Sequence, residues 1–127
     1  MAGMLDKPSE PQCTPVVMGL ATFLSDARAQ DVMVYDISQK TGYADYAVLA
    51  TVSSFGQLRG LVKNVDDELM AHGIHPRGAK KNLDEDTTWV LLDCSDFIVH
   101  LMTSPARDFY ALEKIWTDCP RVYPGEA

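Results

Sequence analysis

The chain has 127 residues, 46% of them apolar, and carries eighteen acidic against eleven basic side chains, a formal net charge of −7. That is enough apolar material for one domain with its own core and no metal or disulfide staple, and the negative charge disfavours a bare phosphate backbone as partner. No apolar run approaches the ~20 residues of a membrane span, the first residues lack export or import character, and Cys13, Cys94 and Cys119 form no Cys-x-x-Cys pair, so a cytoplasmic protein is expected.

Residues 1 to 13 are polar, contain Pro8 and Pro11, and read as a loose arm. From Thr14-Pro15, a cap followed by proline at the first helical position, Val16, Val17, Leu20, Phe23, Leu24 and Ala27 follow helical spacing and predict a first helix over about 15 to 29. Val32 to Ile37 is rich in β-formers and predicts a strand. A second strand, Tyr46 to Val52, has an unbroken apolar stretch, Ala47 to Ala50, as expected of a strand covered on both faces.

Ser53-Ser54 then offers caps for a second helix, with Leu58, Leu61, Val62, Val65, Leu69 and Met70 as its apolar stripe and Gly73 as its stop. Ile74 to Thr87 reads as a loop with one short edge strand; its basic stretch, Arg77 to Lys81, is nearly cancelled by Asp84, Glu85 and Asp86. Trp89 to Leu92 and Phe97 to Met102 are predicted strands joined by Asp93-Cys94-Ser95-Asp96, too short a connection for anything but an antiparallel hairpin. Ser104-Pro105 caps a third helix, about 105 to 116, with the stripe Phe109, Leu112, Ile115 and Trp116. Residues 120 to 127, with Pro124 and Gly125, are expected to fray, leaving a single domain over 14 to 119. The fold class that follows is α/β, a mixed β-sheet with helices packed on it.

Few residues point to catalysis. Asp93 and Asp96 at the hairpin turn are placed to hold Mg2+ with a nucleotide's phosphates, the basis of an alternative reading as a nucleotidyltransferase-like enzyme. Turns select aspartate anyway, because its carboxylate bonds to nearby amides, and that reading outweighs the metal. Neither phosphate-loop pattern is present. Cys94 with His100 lacks a third group for nucleophilic catalysis, and His72 with His75 lacks further ligands for zinc. His100 interrupts an apolar strand and needs a hydrogen-bond partner if buried. Periodicity puts Phe109 and Trp116 on the core side of the last helix and allows Trp89 in the core too; the competing reading exposes part of this set, with Tyr110, as an interface anchor.

The segment Trp89-Val-Leu-Leu-Asp-Cys-Ser-Asp-Phe-Ile-Val-His-Leu-Met102, followed by Arg107-Asp-Phe-Tyr-Ala-Leu-Glu-Lys-Ile-Trp116, resembles the signature of the Iojap or RsfS family of ribosomal silencing factors. Ala29 to Asp36 and Asp45 to Thr51 resemble the family's first two strands more loosely. Two loops depart from its pattern: Thr51-Val52-Ser53-Ser54 followed by Gly56, and Lys80-Lys81 before the tryptophan.

The resemblance implies a nucleotidyltransferase-like fold without a working active site, no cofactor, and no enzymatic activity. It implies binding to the large ribosomal subunit at ribosomal protein uL-fourteen, which blocks joining of the small subunit and represses translation under nutrient limitation. An acidic chain suits a basic ribosomal protein. The residues it assigns to partner binding are Trp89, Asp93, Asp96, His100, Tyr110, Glu113 and Trp116. It also allows a homodimer, with the strand Phe97 to Met102 pairing across a two-fold axis.

Overall fold

The computed structural model describes residues 14–78 and 83–124; the arm, Lys80 and Lys81 lie outside them. In chain order the elements are α1 (Thr14–Asp26), β1 (Gln30–Asp36), β2 (Tyr46–Val52), α2 (Phe55–Ala71), β3 (Arg77–Gly78), β4 (Trp89–Asp93), β5 (Phe97–Thr103), α3 (Ser104–Tyr110), a 3-10 turn (Leu112–Lys114) and β6 (Arg121–Tyr123). The strands form one six-stranded sheet in the order β3-β4-β5-β2-β1-β6. Only β2 and β5 run parallel; every other neighbouring pair is antiparallel. The expected mixed sheet is therefore present, and its central strand β2 is buried along its whole length, as its apolar run requires.

Each strand divides its side chains between two layers, because successive residues point to opposite faces. On one face α1 and α2 supply Val17, Leu20, Leu24, Leu58, Leu61 and Val65, which pack on Val34, Val48, Val99 and Leu101. Burying each such leucine contributes about 1.5–3 kcal/mol, whereas an exposed pair such as Lys63–Asp67 contributes about 0–1 kcal/mol. The apolar layer, not surface charge, holds the sheet to its helices. On the other face lies a smaller cluster of Tyr35, Ile37, Ala47, Leu49 and Trp116, covered by the segment after β5.

Helix α2 starts and stops where its sequence says it should. Ser54 is the N-cap, its Oγ accepting the Gln57 amide at 3.0 Å, while Gln57 Oε1 accepts the Ser53 amide at 2.7 Å. Gly73, at φ +76, closes the helix with its amide on the Met70 carbonyl. Met70, expected in the stripe, is half exposed, while Leu69 beside it is fully buried.

Four expectations are corrected. Helix α1 ends at Asp26 rather than 29, because Arg28 turns left-handed at φ 73 and the Ala29 amide returns to the Leu24 carbonyl. The last helix is broken at Ala111, left-handed at φ 48, so a continuous helical stripe does not exist and Phe109 is 81% exposed. Arg121 to Tyr123, expected to fray, form β6 and pair with β1, and the Tyr123 hydroxyl hydrogen-bonds Ser25 at 2.8 Å; residues 125–127 of the expected tail lie outside the described residues. Finally, β5 is an interior strand with both edges used by β4 and β2, so it is not available to pair with a second copy.

Candidate functional site

Trp89, His100, Tyr110 and Trp116 meet on the sheet face opposite α1 and α2, whereas Phe97 packs in the cluster beneath those helices. Trp89 opens β4 and lies over His100 of β5, their ring centroids 5.9 Å apart. Its indole Nε1–H donates to His100 Nδ1 at 3.1 Å. Nδ1 therefore carries no proton, and the neutral ring holds its N–H on Nε2. Tyr110 of α3 packs against Trp89 with its ring tilted 48° and the centroids 4.8 Å apart, Phe109 meets Tyr110 edge-on at 5.0 Å, and Trp116 lies 5.9 Å from His100 and 5.8 Å from Tyr35.

This row grades from buried to exposed. Trp116 and His100 are buried, Trp89 is half-buried, and Tyr110, at 48% exposed, and Phe109 face solvent. Leu91, exposed on the same side of β4 as Trp89, widens the apolar surface. Of the assigned residues, Trp116 and His100 thus support the face and Trp89 and Tyr110 present it. Leu91 and Phe109 escaped sequence reasoning, since an exposed residue in an apolar strand and one beyond a helix break have no periodic signal.

The acidic turn sits at the opposite end of β4. Asp93 Oδ1 accepts the Ser95 amide at 2.9 Å, stabilising the left-handed Ser95, and its Oδ2 lies 3.4 Å from Arg77 Nη2. Asp96 is exposed, and its carbonyl accepts the Asp45 amide at 2.7 Å. Among the described residues no group of three or more His, Cys, Asp or Glu is arranged to hold a metal. Burial, then the charges of Asp93 and Asp66, pushes the Cys94 thiol up to about 12. Cys94 also packs in the cluster under α1 and α2, across the sheet from His100, so the two make no thiolate pair.

Glu113 does not lie on an open acidic rim. Its Oε2 accepts the Nε–H of Arg107 at 2.7 Å, and Arg107 is buried, with its Nη1 donating to the Asp31 carbonyl at 2.7 Å and to Thr51 Oγ1 at 2.8 Å. Charge reversal at Glu113 is therefore expected to cost stability, because it breaks the contact to the buried Arg107. Arg107 itself has no sequence signal beyond its place in the segment, because arginine is rarely buried unless paired.

Burial lowers the pKa of His100 to about 4. As pH falls from the unfolded value near 6.5, the unfolded chain binds a proton that native His100 refuses. Stability is therefore lost progressively from about pH 6.5 down to about pH 4, and this contribution levels off below. His100→Asn, which keeps an acceptor near Trp89, should show a shallower fall in Tm between pH 7 and pH 4.5. Equal slopes for variant and wild type in melts across that range would exclude His100 as the source.

A family model described as "Ribosomal silencing factor during starvation" matches residues 10–126. The chain is 41% identical over 100 residues to the ribosomal silencing factor RsfS of Treponema pallidum, covering 79% of this chain and 88% of that protein. It is 30% identical over 100 residues to RsfS of Bacillus subtilis, covering 79% and 83%. A crystal structure of a Chromobacterium violaceum protein superposes with a TM-score of 0.71 at 26% identity, covering 89% of this chain and 88% of that one. With the match running through nearly the whole sequence, the chain belongs to the RsfS family of ribosomal silencing factors.

Proposed function

We propose that this protein silences ribosomes by occupying the large subunit at ribosomal protein uL-fourteen, so that the small subunit cannot join and translation is repressed under nutrient limitation. The observation that carries the reading is the solvent-facing surface of Trp89, Leu91 and Tyr110 on a chain of this family. A half-desolvated tryptophan braced from behind by a histidine and from the side by a tyrosine is the kind of rigid anchor that dominates binding energies. Asp96 and the chain's net negative charge favour a basic protein surface over RNA. Steric competition between subunit and factor needs no cofactor and no bond-making chemistry, and it takes place in the cytoplasm.

The direct test adds small subunits to large subunits preincubated with the protein and follows joining by light scattering, with co-sedimentation as the binding readout. An excess of protein should slow joining and sediment with large subunits. Failure on both counts defeats the reading. The enzyme alternative has its own signature, a saturable heat with ATP, CTP or UTP and Mg2+ that disappears in Asp93→Asn.

A further inference from the structure

We infer that Arg107 is the positioning residue of the aromatic face, and the inference deepens the proposed function. Helix α3 has seven residues and the 3-10 turn after it three, with left-handed Ala111 as the joint. Neither piece is long enough to hold its shape alone. Yet α3 carries Tyr110 and the turn leads directly into Trp116, the rings that close the row around Trp89 and His100. The angle at Ala111 therefore sets where those rings stand.

Arg107 locks that angle from both sides. Its Nε reaches over the joint to Glu113 at 2.7 Å, tying the helix to the turn. Its Nη1 reaches the other way into the sheet, to Thr51 of β2 and to the carbonyl of Asp31, whose φ of 48 marks the irregular start of β1. The main chain adds a third tie, the Ala111 amide on the Arg107 carbonyl at 2.8 Å. A planar guanidinium makes these bonds at fixed mutual angles, and an ammonium does not. Arg107 touches no partner; it acts through Tyr110 and Trp116.

A merely stabilising arginine and a positioning one part company in a matched comparison. Arg107→Lys is set beside Val65→Ala, which opens a cavity under α2 on the opposite face of the sheet, and both are assayed at a temperature where both are folded. Positioning predicts that Arg107→Lys binds large ribosomal subunits at least tenfold more weakly than wild type while Val65→Ala stays within twofold. It also predicts that acrylamide quenches tryptophan fluorescence more strongly in Arg107→Lys than in wild type or Val65→Ala. If Arg107→Lys does not fold, Thr51→Val carries the test: it removes one acceptor, keeps the Glu113 pair, and should weaken binding about threefold with increased quenching. Wild-type affinity or wild-type quenching in a folded Arg107→Lys or Thr51→Val overturns the inference. If the wild-type chain binds no large subunits, the silencing reading fails by itself, and the quenching comparison still decides whether Arg107 orders the rings.

Discussion

Replacing Trp89 with alanine should weaken binding to large ribosomal subunits by roughly thirtyfold or more, the effect of losing a hot spot of at least ~2 kcal/mol. The ring is half-buried and flanked by His100, Tyr110 and Leu91, so it combines a fixed orientation with a face open to a partner. Truncation removes that anchor and also the Nε1–H donor to His100 Nδ1. Trp89→Phe keeps a ring against Tyr110 without the donor and should fall between wild type and alanine. Trp116 offers the contrast, because its burial makes alanine there a cavity in the small cluster, with loss of stability preceding any loss of binding. Sedimentation titrations paired with circular-dichroism melts separate the two. A folded Trp89→Ala protein that binds like wild type would remove the aromatic face from the interface.

Reversing the charge of Glu113 should act on the fold first. Glu113→Lys sets an ammonium against the buried guanidinium of Arg107, and Glu113 is itself largely shielded, its side chain 31% exposed. Breaking a fully buried pair by removing one partner costs about 3–5 kcal/mol; discounted for partial exposure, roughly 2–4 kcal/mol remains, a fall in Tm on the order of ten degrees. Glu113→Gln keeps an acceptor for Nε and should lose less. Asp108→Lys, a reversal at an exposed position of α3 next to Arg107, should shift the melt by no more than about a degree or two. Coincident melts of Glu113→Lys and Asp108→Lys would show that the short Arg107–Glu113 contact holds nothing.

These two expectations separate residues that the segment itself treats alike. Trp89, His100, Tyr110, Glu113 and Trp116 were legible as a group only through the resemblance of their segment to the family signature. Their division into presenters and supports was not. Asp93 is the intermediate case: the preference of turns for aspartate pointed to a local bond, and the contact to the Ser95 amide is that bond.

What the sequence by itself determined are the features written in neighbouring residues: the apolar run that buries β2, the serine cap and glycine stop of α2, the tight turn between β4 and β5, and hence a mixed sheet layered with helices. Each arises from contacts within a few positions, so each leaves a periodic or capping pattern. Tertiary structure alone decided that the last helix breaks at Ala111, that Phe109 points outward, that Arg121 to Tyr123 add a strand to β1, and that Glu113 faces inward. Those outcomes depend on partners far along the chain. Arg107 meets Asp31 and Thr51 only after the sheet has formed, and three residues such as Arg121-Val122-Tyr123 become a strand only when β1 offers them an edge. No local pattern encodes a bond whose second partner is supplied by the fold.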